Sequence, residues 1–341
     1  VKPNVFVFND TGYENHAGCI GVVTELERLL AKTSPSLCQI KYYSIRNKRE
    51  LQRDFRETPP THIIVNGEGT FHSDRKAALY WCKIARICQE QNGCRIALVN
   101  ASWFNNNECN RLIPQCDLIY MRDKQSLLNV LPFAGQTQVK SMPDLFYYFC
   151  SDVKELTSPS TETVICNDCV EHDKSNFLRS AGKENKLEGL SIYIARSNVD
   201  KAKIIYQTLS KRKILNISYV YEFIKLKSYF KLNNSMLSFI HRISGCSGIV
   251  TGRYHMVVLA IVLDIPFVYL DSNTPKIESF LNDVGINGRR IITNDNITIP
   301  EFDSQEIEAL TNFKSSSAQR MEGFLSDLSF FLHTQPAPRS E

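Results

Sequence analysis

Short apolar runs alternate with amphipathic helical stretches along most of the chain, and this rhythm limits the possible folds more than any other feature. Val5–Asn9 reads as a buried strand, and Gly18–Lys32 repeats Ile20, Val23, Leu26, Leu29 and Leu30 at helical spacing. A strand is predicted at Ile40–Ser44, then a charged helix at Lys48–Glu57 that Pro59-Pro60 cannot continue. Next come a strand at His62–Asn66, a helix at Arg75–Gln91, and strands at Arg95–Asn100 and Leu118–Met121. Strand, helix and strand at this rhythm mean βαβ units and a mainly parallel sheet.

A polar stretch, Ser151 to Glu162, interrupts the pattern and marks a domain boundary. The alternation then resumes. Strands are predicted at Leu190–Ala195, Ile217–Tyr221, Gly248–Thr251, Phe267–Leu270 and near Arg290–Thr293. Helices are predicted at Val199–Leu209, Ser235–Ile243, Met256–Leu263, Pro275–Val284 and Ser304–Leu332. A chain of 341 residues suits two domains of roughly 150 residues each. The expectation is an α/β protein of two Rossmann-like domains, over 1–155 and 156–335, facing a cleft. In such sheets ligands bind outside the carboxyl ends of the strands.

Composition removes several classes. With 43% hydrophobic and 22% charged residues the chain is not disordered. The net charge of +4, all of it arising within residues 1–150, falls short of a generic nucleic-acid footprint. The longest apolar run, Met256 to Leu270, is broken by Asp264 and Pro266 and is too short to span a bilayer. No basic-then-apolar signal segment opens the chain, and Val1 suggests processing or excision from a longer polypeptide. The eleven cysteines include one ligand-like spacing, Cys166-x-x-Cys169 with His172. A zinc site needs a second pair, so reduced structural thiols, no metal and a cytoplasmic setting are expected. Lys201 to Lys231 carries eight basic residues against Glu222, as solvated helix faces or as a docking face for an acidic polymer or lipid head group.

The candidate chemistry lies just after the strands. Asn9-Asp10-Thr11-Gly12 and His16-Ala17-Gly18-Cys19 lead into a helix N-terminus, as a capped connection or as backbone donors for an anion. Asn66-Gly67-Glu68-Gly69 and His72 follow the third predicted strand, where glycines let a ligand or backbone come close. Arg122-Asp123-x-x-Ser126 follows the Leu118–Met121 strand: Asp123 caps a helix, and Arg122 either points into the cleft or forms a surface ion pair. Asp144 stands near the end of the first domain, and Arg196 follows a strand of the second. The sharpest segment is Gly248 to His255, a strand delivering Gly252, Arg253 and His255 into a helix start. Arg offers a planar fork for a carboxylate or phosphate, His exchanges protons near neutral pH, and the helix adds partial positive charge.

These residues resemble the polysaccharide pyruvyl transferase family. The match rests on Thr251-Gly252-Arg253-Tyr254-His255 with Ala260, on Asp264-Ile265-Pro266-Phe267-Val268, and on Lys276 and Leu281 to Gly285. Gly67-Glu68-Gly69, Arg122-Asp123-x-x-Ser126, Pro143-Asp144 and Arg196 support it. Two features depart from the family: the long opening loop from Asn9 to Cys19, and Glu68 where a glycine is commoner.

The resemblance implies a glycosyltransferase-B-like (GT-B-like) arrangement and a transferase of cell-surface polysaccharide biosynthesis, of capsule or lipopolysaccharide. It would act without a cofactor, moving pyruvyl from phosphoenolpyruvate to a pair of sugar hydroxyls as a ketal. His255 and Arg253 would be catalytic, and Arg253, Arg196, Arg122 and Gly252 would bind the donor. Asn9, Asp10, His16, Glu68, His72 and Asp144 would face the acceptor, a glycan or lipid-linked glycan, or a second ligand. Neighbouring domains of a larger polypeptide are further partners, and the expected location is cytoplasmic or peripheral at the inner membrane face. The alternatives are a glycosyltransferase using a nucleotide-activated, acidic sugar, with Asp10, Glu68 or Asp144 as base, and an idle polysaccharide-holding module.

Overall fold

A computed structural model describes residues 3–33, 39–152, 161–195, 197, 200, 229–286, 288–292 and 297–336. Contacts divide the chain into two units: Val1–Tyr13, Val23–Leu145 and Asn312–Glu341 form the first, Glu14–Val22 and Phe146–Thr311 the second. A single cut at 155/156 does not describe this division, because one short segment and the C-terminal helix each group away from their neighbours in sequence.

The first unit is built on a parallel sheet of β1 (Asn4–Phe8), β2 (Gln39–Tyr43), β3 (His62–Glu68), β4 (Arg95–Ala101), β5 (Leu118–Met121) and β6 (Val139–Ser141). Their order is β2-β1-β3-β4-β5-β6. Every residue of β3 is buried, as a central strand covered on both faces requires. Helices α2 (Lys48–Glu57), α3 (Lys76–Asn92) and α4 (Lys124–Val130) belong to this unit, as does α1 (Ala17–Thr33) from Val23 on, whereas α5 (Leu145–Asp152), which follows β6, groups with the second unit from Phe146. α2 stops at Thr58, ahead of the proline pair, and α3 ends on left-handed Gly93. Phe6, Phe8, Ile63, Val65, Trp81, Ile96 and Leu98 are in its core.

In the second unit the described strands are β7 (Val164–Cys169), β8 (Glu188–Ile194), β9 (Lys231–Asn233), β10 (Gly248–Gly252) and β11 (Phe267–Tyr269), all parallel. Their order, β11-β10-β7-β8-β9, places β7 beside both β8 and β10. The chain therefore winds outward from β7 in one direction and then crosses to β10 on its other side. That is the topological switch point of a doubly wound sheet, where such folds hold ligands. α6 (His172–Glu184), α7 (Met236–Ser244), α8 (Tyr254–Leu263), α9 (Lys276–Val284) and α10 (Ser304–His333) are its described long helices, α10 continuing into the first unit's share of the chain. Both units are Rossmann-like α/β folds with parallel sheets.

Among the described residues the structure differs from the sequence pattern in three places. The stretch holding Cys166 and Cys169 is the central strand β7, and both thiols are buried. Near Arg290 the chain forms a single turn of 3-10 helix, Gly288–Arg290, and one bridge between Ile291 and Tyr269. The polar stretch 153–160 lies outside the described residues, as do the strand Ile217–Tyr221, all but Asp200 of the helix Val199–Leu209, and most of the basic run from Lys201. Short β6 and β9 carry too few residues for their period to show. Among the described residues no helix is long and apolar enough to cross a membrane.

Candidate active site

The site begins with a strand that runs into a buried helix. β10 is buried throughout, and α8 buries Tyr254 and every residue from Met256 to Val262. A helix apolar all round must lie inside the unit, so His255, partly exposed in its first turn, is the polar exception. Arg253 stands at the N-cap between the two elements, and its backbone N–H donates to Thr251 Oγ1 at 3.0 Å. Left-handed Asp264 ends the helix before Pro266.

Asp168, at the end of β7, receives the Arg253 guanidinium in a two-pronged pair: Nε to Oδ1 and Nη2 to Oδ2 are both 2.8 Å. The side chains are 11% and 15% exposed, so the pair is largely desolvated. Burial alone would lower the Arg253 pKa, but the Asp168 carboxylate and Tyr193 outweigh it and raise the pKa. The guanidinium also lies 5.7 Å from the centre of the Tyr193 ring. Nη1 makes no hydrogen bond among the described residues, which leaves one edge of the fork for an anion.

A glycine allows this approach of two strands. A Cβ on Gly252 would come within 2.6 Å of Cys169 Cβ and Sγ, so only glycine lets the ends of β7 and β10 close. Burial pushes the Cys166 thiol up to about 12.

The segment Glu14–Val22 completes the arrangement within the second unit. His16 pairs with Tyr193 in an isolated antiparallel bridge, and Ile194 N–H donates to Asn15 O at 2.8 Å. The His16 ring lies edge-on to that of His255, with centroids 5.4 Å apart. Phe146 and Tyr254 flank His255 at 5.1 and 5.2 Å. Gly18, in the first turn of α1, abuts the His255 imidazole so closely that a Cβ there would overlap Nδ1 and Cγ.

The other expected residues gather in the first unit. Asn9 adopts φ 64° and Glu68 φ 42°, both left-handed. Asn9 Nδ2 donates to Asn66 O at 2.7 Å and to Thr70 Oγ1 at 3.0 Å, while Trp81 Nε1 donates to Asn9 Oδ1 at 3.1 Å. Thr11 Oγ1 and Asn66 Nδ2 donate to the buried Glu68 Oε1 at 2.5 and 3.0 Å. This network sits where β1 and β3 diverge, the corresponding switch point of that sheet. Asp10 accepts from the Gly12 N–H at 2.9 Å, as a turn residue. His72 is buried and bridges to Phe104.

Arg122 neither points into a cleft nor forms a surface pair. Its Nη1 donates to Asp144 Oδ2 at 2.8 Å and its Nε to Ser102 Oγ at 2.5 Å, with side-chain exposures of 1% and 0% for the ion pair. Both charges of this pair are buried. Asp123 does cap α4, accepting from Ser126 N at 2.7 Å. Arg196 lies outside the described residues.

Sequence reasoning missed Asp168. Its signal was the apolar run Val164-Ile165-Cys166 ending in Asn167-Asp168, a strand with a carboxylate at its carboxyl end.

The profile of the polysaccharide pyruvyl transferase family matches residues 19–274. No curated protein matches the chain. Among solved structures, UDP-GlcNAc 2-epimerase from Neisseria meningitidis is 11% identical at a TM-score of 0.49, over 94% of this chain and 91% of that one. The Methanocaldococcus jannaschii UDP-GlcNAc 2-epimerase is 10% identical at 0.48, over 93% and 100%. The Escherichia coli ADP-heptose heptosyltransferase II is 13% identical at 0.35, over 94% and 99%. The family match spans both switch-point strands of the second unit as well as Arg253 and His255, and on its extent the chain belongs to the polysaccharide pyruvyl transferase family and is a transferase.

Proposed function

We propose that the protein transfers pyruvyl from phosphoenolpyruvate to two hydroxyls of a glycan or lipid-linked glycan, forming a ketal in cell-surface polysaccharide biosynthesis. The observation that carries this is the Arg253 guanidinium, fixed by Asp168 at the switch point with His255 two residues further on. Phosphoenolpyruvate has two anionic groups. The open edge of Arg253 and the N-terminus of α8 suit one of them. Arg196 is the proposed second cation.

His255 acts as the acid. As an imidazolium it protonates the methylene carbon, and C2 becomes oxocarbenium-like and open to attack by a sugar hydroxyl. Such a proton transfer contributes about 10²–10⁴ in rate.

A donor panel tests the reading. Phosphoenolpyruvate and nucleotide sugars are offered with a glycan acceptor and scored by thermal shift and by acceptor-dependent product. Phosphate released from phosphoenolpyruvate supports the proposal; stabilisation and turnover by a nucleotide sugar alone would sink it.

A further inference from the structure

We infer that His16 is the base that takes the proton from the attacking acceptor hydroxyl, so that two imidazoles divide the proton traffic of the transfer. The assignment rests on the transferase reading of this site. It does not depend on which donor is used, because a hydroxyl must lose its proton in attacking either phosphoenolpyruvate or a nucleotide sugar.

The geometry that carries it is local to the second unit. The two rings are 5.4 Å apart between centroids, and the bare Cα of Gly18 leaves the His255 imidazole the room it occupies. His16 is held by its backbone, not by its ring: the bridge to Tyr193 fixes the residue, and its carbonyl accepts from Ile20 N at 3.0 Å to start α1. Its Nδ1 is buried and has no hydrogen-bond partner among the described residues. A buried imidazole nitrogen left in that state costs free energy that a bound hydroxyl would recover.

The charged and titratable neighbours favour a neutral ring. Burial, His255 and Arg253 together hold the His16 pKa well below 6.5; Asp168 opposes them and Lys276 adds to them. Tyr193 packs edge-on at 5.4 Å. A neutral imidazole beside a second one that carries the proton is the division of labour acid–base catalysis needs.

For the phosphoenolpyruvate donor the steps balance. The π pair of the donor takes a proton from His255 at C3, and the oxygen of the first hydroxyl bonds to C2 as His16 accepts its proton. The C2–O bond to phosphate then breaks with its electron pair, and His16 returns its proton to the departing phosphate. The second hydroxyl bonds to C2 and gives its proton to His255, which regenerates both rings.

The test compares wild type with His16→Gln and His16→Gly. Melting temperature and donor-induced thermal shift check that each variant folds and still binds. The expected result is a kcat lower by about 10²–10⁴-fold, donor binding retained, loss of the acidic limb of the kcat–pH profile, and partial rescue of the glycine variant by added imidazole. A folded His16→Gln enzyme with kcat within about threefold of wild type and the same acidic limb would overturn the assignment. If wild type turns over only a nucleotide sugar, the donor reading fails, and the same variant comparison with that donor decides on His16.

Discussion

The Arg253 guanidinium and the Asp168 carboxylate meet along two parallel hydrogen bonds of 2.8 Å at the carboxyl ends of neighbouring strands. A cation held this way loses little rotamer freedom when a donor anion arrives. On the proposed reading the carboxylate also weakens the net field at Arg253, so Asp168 would serve orientation more than attraction.

Replacing Asp168 by Asn tests that balance. The amide keeps the shape but loses the charge-assisted bonds, so stability is expected to fall by about 1–3 kcal/mol. Donor KM is expected to rise more than kcat falls, because Arg253 becomes less well placed. Steady-state kinetics with a melting curve reads both. An unchanged KM with collapsed kcat would instead give Asp168 a role in the chemical step.

Gly18→Ala probes the His255 ring. The added methyl overlaps the imidazole, and the ring is the part able to move. With glycine in a helical turn, alanine itself favours the helix. The fold should therefore survive while activity drops by about 10²-fold, the cost of displacing a catalytic group by an ångström. A full-rate Gly18→Ala enzyme would mean that His255 tolerates another rotamer.

Much of this was legible in sequence, for a physical reason. Gly252-Arg253-x-His255 lies between two apolar runs, so a strand end and a helix start bracket it whatever the rest of the chain does. β3 and β4 were equally plain, since strands covered on both faces are continuous apolar runs. Asp168 was hidden because its strand, Val-Ile-Cys-Asn-Asp-Cys, reads as a cysteine motif until the pairing with β10, some 85 residues on, is known. His16 is visible as a loop residue, but its place beside His255 follows from its own long-range bridge to Tyr193 in β8. Arg122 and Asp144 were both noticed, yet their burial depends on packing that local pattern does not encode.

That buried pair makes a stability prediction. Arg122→Ala strands the Asp144 carboxylate in the interior, which should cost about 3–5 kcal/mol. The double replacement Arg122→Met with Asp144→Leu should recover most of it, and neither should alter donor affinity in the folded fraction. Denaturant titration and donor thermal shift check this. A stable Arg122→Ala protein with weakened donor binding would return Arg122 to the donor site.

A pH effect on folding should arise from Asp54. The Lys41 ammonium, with help from Tyr43 and Arg53 and against burial, holds its carboxyl down to about 2 from the ordinary 3.8. A depressed carboxyl stabilises the fold above its unfolded pKa and loses that contribution as pH falls through the folded one. The stability of the wild type is therefore expected to decline between about pH 4 and 2, and Asp54→Asn to flatten that slope. Equal slopes in the two proteins would contradict the account.

The most direct measurement is a single-turnover reaction of wild type and His255→Ala with phosphoenolpyruvate and a glycan acceptor, following phosphate and ketal product together. The account expects one phosphate per ketal in the wild type. It expects neither product from a His255→Ala protein that melts normally and still binds the donor. Phosphate and ketal formed by that variant at near wild-type rate would contradict it.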